Sequence, residues 1–264
     1  MKKFLALGLL AATAVPASAA DVIYEEPMVT PVVAMAVPSW TGFYLGVQGG
    51  GGFNPSNPDN FSIVPSFPGA FPGSAFGSNY ESSFESGFVG GGHVGYDYQM
   101  NNWVVGAVLD INASDLGQRQ SAFSSTPAFY TAERDLDYFA TGRLRAGYLV
   151  TPTTLFYATG GVAYGDVSYK FSANSAPFAT ATAFSDSSDR WGYTVGGGMD
   201  FLVTDNISFG VEYLYTNLGD DDSYTRFVSG PFGGPAGSGG FTDFTGSDDF
   251  DFHTITAKIS YRFN

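Results

Sequence analysis

Beyond residue 40 the apolar residues recur with a period of two, and the charges fall on one side of the alternation. In 103–111 one face is Trp103, Val105, Ala107, Leu109 and Ile111, and the other carries Gly106 and Asp110. In 138–148, Tyr138, Ala140, Gly142, Leu144, Ala146 and Tyr148 oppose a face holding Arg143 and Arg145. Residues 191–203 set Trp191, Tyr193, Val195, Gly197, Met199, Phe201 and Val203 against Asp200. Residues 207–215 set Ile207, Phe209, Val211, Tyr213 and Tyr215 against Glu212, and 255–263 set Ile255, Ala257, Ile259, Tyr261 and Phe263 against Lys258 and Arg262. Alternation this strict describes strands, because successive side chains of an extended chain point to opposite faces. Phe43, Leu45 and Val47 make a further strand, and so do Phe88, Val94, Tyr96 and Tyr98, which oppose His93 and Asp97. Residues 155–171 are also extended, with either face open to the apolar side, which brings the count to eight.

A soluble sandwich alternates too, so the environment of the apolar face must be argued separately. The strands run ten residues or more, the length that crosses a bilayer at a tilt. Only 14% of the chain is charged, where soluble domains carry about a quarter. The polar faces hold Gly, Thr and charges of both signs instead of dense Lys and Glu. Aromatic residues cluster at one set of strand ends: Trp40, Tyr96, Tyr98, Trp103, Tyr148, Phe201, Phe209, Tyr261 and Phe263. That is the pattern of a membrane-interface girdle. Connections alternate as well, short near 99–102, 151–153 and 204–206 and long near 53–85, 112–132, 172–189 and 218–248. The reading is an all-β chain. It is an eight-stranded antiparallel up-and-down transmembrane β-barrel, closed because lipid tolerates no unpaired edge, with short periplasmic turns and long extracellular loops.

The N-terminus reads as an export signal over 1–20. Lys2 and Lys3 precede the apolar run Phe4 to Val15, and Pro16-Ala17-Ser18-Ala19-Ala20 ends it with small residues. Cleavage fits after Ala19 or Ala20. The run is too short to span a membrane as a helix. Residues 21–39, with Pro27, Pro31 and Pro38, read as a flexible periplasmic lead-in, and 40–264 as the barrel.

Trp40-Thr41-Gly42-Phe43-Tyr44-Leu45-Gly46 resembles the opening strand of the alpha-proteobacterial outer-membrane immunogenic proteins. Thr141-Gly142-Arg143-Leu144-Arg145-Ala146-Gly147-Tyr148 and residues 155–165 (LFYATGGVAYG) are similar to their middle strands. Residues 192–200 (GYTVGGGMD) and Val211-Glu212-Tyr213-Leu214-Tyr215 are similar to later ones. This group lies in the opacity-type porin superfamily of eight-stranded barrels. The resemblance covers about 40–264. It implies a bacterial outer-membrane location, contact with lipid and lipopolysaccharide, and insertion by the barrel-assembly machinery. That machinery reads an aromatic C-terminal end, where Phe263 is here penultimate.

The predicted inward charges are Asp97, Asp110, Arg143, Arg145, Asp200, Glu212, Lys258 and Arg262, four of each sign. Eight strands leave an interior just wide enough for side chains, and aqueous channels need about sixteen. These charges therefore read as an ion-pair network that closes the bore. A charge-lined diffusion pore is the second reading. No cofactor and no metal is expected. The chain has no Cys, which excludes thiol chemistry, and its formal charge of −14 argues against a nucleic-acid partner. Gly49 to Gly52 lacks the Lys-Ser or Lys-Thr of a phosphate loop. His93 reads as a lumen histidine without a neighbouring nucleophile, and His253 as part of an acidic rim with Asp249 and Asp251. Asp220, Asp221, Asp222, Asp243, Asp248 and Asp249 lack the regular spacing of a calcium loop and read as a solvated surface. A third reading is capture of a host or environmental ligand, such as haem or a receptor, by Phe61, Phe67, Phe71, Phe76, Tyr130, Phe178 and Phe232. The leading function is a non-enzymatic structural barrel that supports envelope integrity and surface contact.

Overall fold

The computed structural model describes residues 38–60, 62–67, 76–124, 128–174, 181–184, 189–219, 223–229, 232–233, 237–245 and 249–263. The expected export signal and the lead-in up to residue 37 lie outside them. Thirteen strands and no α-helix occur among the described residues. They are β1 (Gly42–Phe53), β2 (Ser62–Pro65), β3 (Tyr80–Glu85), β4 (Gly87–Met100), β5 (Trp103–Ser124), β6 (Ala128–Thr151) and β7 (Thr154–Ala173). β8 (Ala181–Phe184), β9 (Asp189–Leu202), β10 (Ile207–Asn217), β11 (Tyr224–Phe227), β12 (Thr242–Thr245) and β13 (Asp251–Phe263) follow.

Eight of these pair antiparallel in the ring β1-β4-β5-β6-β7-β9-β10-β13. First and last strands close it, with Phe43 opposite Phe263 and Phe53 opposite His253. The turns at one end are tight. Met100 pairs with Trp103 around Asn101, whose φ of 55° is the left-handed conformation that asparagine tolerates in such hairpins.

Alternation sorts the side chains by face. Phe43, Leu109, Leu144, Trp191 and Val211 are exposed on the outer wall, while the charged residues between them are buried. A soluble protein would reverse this, so the outer face is built for hydrocarbon. The open assignment in 155–171 resolves here: Leu155, Tyr157 and Thr159 point in, and Phe156, Ala158 and Val162 point out.

Ring-bearing residues recur ten positions apart on five strands: Phe43 and Phe53, Phe88 and Tyr98, Tyr138 and Tyr148, Trp191 and Phe201, His253 and Phe263. Ten residues at ~3.4 Å each, on strands tilted ~40°, rise roughly 26 Å. That matches the height of an outer-membrane apolar band.

The long connections differ from expectation. The stretch 112–132 was predicted as a loop, yet β5 and β6 continue through it to Ser124 and from Ala128. Register shifts between Ala113 and Leu116 and between Leu136 and Tyr138 mark where the strands leave the apolar band. Above them the inward row includes Gln118 and Gln120, so hydropathy no longer alternates. β3, β5, β6 and β7 form a wall above the ring, and β2-β12-β11-β8 make a second, four-stranded sheet from the loops. Phe227, Phe232 and Phe244 of the loop region pack on Ala122, Ala128 and Tyr130 of the wall. The loop end is thus a small sandwich with its own core.

Candidate functional site in the barrel lumen

The inward charges form one chain of alternating sign across the bore. Arg262 Nη2 lies 2.5 Å from Asp97 Oδ2. Asp97 also pairs with Arg145, and Arg145 Nη1 reaches Asp200 Oδ2 at 2.9 Å. Asp200 is 3.9 Å from Lys258, which meets Glu212 at 3.0 Å. Glu212 then pairs with Arg143 at 3.0 Å, and Arg143 with Asp110 at 2.8 Å. The series reads + − + − + − + −, from the tight-turn end to the centre. Every side chain in it is at most 9% exposed. Tyr157 donates to Glu212 at 2.9 Å, and Asn112 links Asp110 to Gln48. Buried ions are tolerated when paired and hydrogen-bonded in this way.

Apolar layers seal both ends. Toward the tight turns lie Trp40, Val104, Leu149, Leu155 and Leu202. Toward the loops lie Val89, Leu116, Leu136, Phe139, Val167, Leu218, Phe250 and Phe252. Small residues give the charges room. A methyl group on Gly106 would collide with Asp97 Oδ1, and one on Gly210 with Asp200 Oδ1.

Trp40 corrects an expectation. Predicted as an interface aromatic, it is fully buried inside the tight-turn mouth. Its indole N–H donates to Pro152 O at 3.1 Å, its backbone N–H to Gln99 Oε1 at 2.9 Å, and its carbonyl accepts from Arg262 Nη2 at 2.7 Å. The Arg262 guanidinium stacks 4.8 Å over its ring. It precedes β1, so strand parity does not fix where it points.

Comparison with known proteins gives the same architecture a family. The sequence matches the family described as outer membrane protein beta-barrel domain over residues 6–263. The chain belongs to that family. It is 35% identical over 278 residues to the 31 kDa outer-membrane immunogenic protein of Brucella melitensis, with all of both chains covered. It is 27% identical to the 25 kDa outer-membrane immunogenic protein of Brucella abortus, over 83% of this chain and 87% of that one. Among solved structures, OprG of Pseudomonas aeruginosa is similar at 15% identity and a TM-score of 0.46, covering 84% of this chain and 97% of that one. The family places the protein in the bacterial outer membrane. Its relatives carry the names of outer-membrane proteins, not of enzymes.

In an outer-membrane barrel the short turns face the periplasm and the long loops face outward. Tyr96, Tyr98, Trp103, Tyr148, Phe201, Phe209, Tyr261 and Phe263 then lie on the lipid-facing wall at the periplasmic end, all exposed. Sequence reasoning missed a second girdle at the outer end. There Tyr164 meets Trp191 at 5.2 Å between ring centres, Tyr193 meets Tyr215 at 6.1 Å, and His253 stacks between Phe53 and Tyr213. The ten-residue recurrence was the signal that could have found it.

His93 is buried, with Nε2 2.8 Å from Ser260 Oγ; its Nδ1 has no hydrogen-bond partner among the described residues. Among the described residues no carboxylate hydrogen-bonds the ring. His253 points outward and shares a 2.6 Å hydrogen bond with the Tyr213 hydroxyl. Of the loop aromatics, Phe76, Tyr130 and Phe232 are in the sandwich core, while Phe61, Phe71 and Phe178 lie outside the described residues. Asp243 takes a two-point contact from Arg226, a pairing that holds the guanidinium pKa above its ordinary value. Asp249 accepts from Asn217 at 2.7 Å. Asp220 to Asp222 and Asp248 lie outside the described residues. No group of three or more metal-ligating side chains occurs among those described.

Proposed function

We propose that this protein is an exported structural barrel. It contributes to envelope integrity and presents a rigid, sandwich-capped surface to the cell's surroundings or host. The observation that carries the reading is the unbroken series of eight paired charges, buried between two apolar layers. Charges paired across the bore and capped by apolar layers oppose a hydrated path, so the reading disfavours a diffusion pore. Purified barrel in planar bilayers is expected to give no stable channel. A persistent nanosiemens-scale open state would sink the proposal.

Burial of Phe76, Tyr130 and Phe232 supports a scaffolding role for these aromatics over ligand capture. The immunogenic relatives support exposure to a host. Lipid and lipopolysaccharide along the wall, and the barrel-assembly machinery during insertion, complete the partners in this reading, with no cofactor. Export would remove 1–19 or 1–20. Sequencing the N-terminus of protein from membranes is expected to begin at Ala20 or Asp21, and a retained Met1 would count against a cleaved signal.

A further inference from the structure

Between the two girdles the outer wall is not smooth. Ala146, Ala158 and Gly197 stand side by side on β6, β7 and β9, because Ala146 pairs with Ala158 and Ala158 with Gly197. They floor a depression of about 620 Å³ whose periplasmic lip is Trp103, Tyr148, Phe156 and Met199. A second depression of about 710 Å³ shares Ala146 and Ala158 and runs on toward Ala107 on β5. From β5 to β9 the trough crosses three inter-strand steps, roughly 14 Å at ~4.8 Å each.

Three observations decide what fills it. The trough lies within the apolar band, so it is continuous with the surface that lipid already covers. Its lip is the edge-on Trp103–Tyr148 pair, with centroids 5.3 Å apart, and interfacial aromatics mark the headgroup level. A second barrel is convex and would meet the protruding Trp103, Tyr148 and Phe156 first, leaving the small-residue floor uncovered. A single flexible chain entering past the lip reaches that floor. The turns beneath the lip offer Asn101, Asn102, Thr151 and Thr153, all exposed and neutral. Anionic lipids are normally recognised by clustered Lys and Arg, and 99–102 and 151–153 contain neither.

We propose that this trough is a binding site for one acyl chain of a periplasmic-leaflet phospholipid bearing a zwitterionic headgroup. The proposal rests on the membrane-spanning reading. Dispersion contacts with a close-fitting floor, not exclusion of water, would hold the chain, as for other packing within a bilayer.

The test is native mass spectrometry of protein released from vesicles of phosphatidylethanolamine and phosphatidylglycerol in equal amounts. Wild type is expected to retain one phosphatidylethanolamine. Ala158→Leu and Ala146→Leu, which fill the floor, are each expected to lower the retained fraction roughly tenfold. Ala257→Leu adds the same bulk on the opposite, lipid-facing wall of β13 and is expected to keep the lipid. A heat-modified gel shift in all three variants separates loss of the site from loss of the barrel. If one filling variant does not fold, the other carries the test. Equal lipid retention by the filled variants and wild type would overturn the site. A dimer that the same substitutions dissolve would overturn the occupant, and equal retention of phosphatidylglycerol would overturn the headgroup assignment.

Discussion

Glu212→Ala is expected to be among the most damaging single substitutions in the bore. It should lower the temperature at which the folded barrel converts to the unfolded gel species. The carboxylate is 2% exposed and faces Arg143 and Lys258, each at 3.0 Å, with the Tyr157 hydroxyl at 2.9 Å. Removing it leaves two buried cations short of a partner, and breaking a buried pair from one side costs about 3–5 kcal/mol. The two cations are not affected equally. Arg143 keeps Asp110 at 2.8 Å, whereas Lys258 keeps only a 3.9 Å contact with Asp200 and the Tyr157 hydroxyl. Most of the penalty therefore falls on Lys258. Adding Lys258→Met to Glu212→Ala should recover part of the loss, because the pair then leaves together and a similar apolar volume returns. An unchanged transition in Glu212→Ala, or a double variant worse than the sum of the singles, would point to a hydrated lumen that screens these charges.

The inward set was legible in the sequence because parity alone assigns a face to Arg143, Glu212 or Arg262 once the strand is known. Who pairs with whom was not. Glu212 on β10 meets Arg143 on β6 across the bore, and these strands are not neighbours in the ring, so no local spacing records the contact. Trp40 fails for a related reason. A residue two positions ahead of a strand has no alternating neighbours to orient it, and an aromatic there suits a girdle and a mouth plug equally. The loop sandwich was hidden differently. β12 pairs with β2 through Thr242 opposite Pro65 and with β11 through Thr245 opposite Tyr224. Four-residue strands drawn from distant loops leave almost no periodic trace. Where β5 leaves the membrane its buried row turns to Gln118 and Gln120, and a hydropathy period is lost although the backbone period persists.

Leu144→Arg separates the membrane barrel from a soluble sandwich with one residue. Leu144 is 73% exposed on β6, between the girdle residues Tyr138 and Tyr148, with its neighbours Arg143 and Arg145 pointing inward. In water this change would relieve an exposed hydrophobic side chain, leaving stability nearly unchanged and improving solubility. In hydrocarbon it places a cation near the middle of the apolar band, where Arg on the lipid face of an outer-membrane barrel costs about 2–4 kcal/mol. Folding into phosphatidylcholine vesicles, followed by denaturant titration, is expected to show that loss. Val150→Arg, on the same strand but at the periplasmic rim, should cost about 1 kcal/mol or less, since the charge reaches water there. The gradient between the two positions is the discriminating quantity. Equal costs at Leu144 and Val150 would mean that the exposed apolar wall faces water and that the closed ring sits in some other environment. A steep difference would tie the ten-residue spacing of the girdles to the thickness of the membrane that the strands cross.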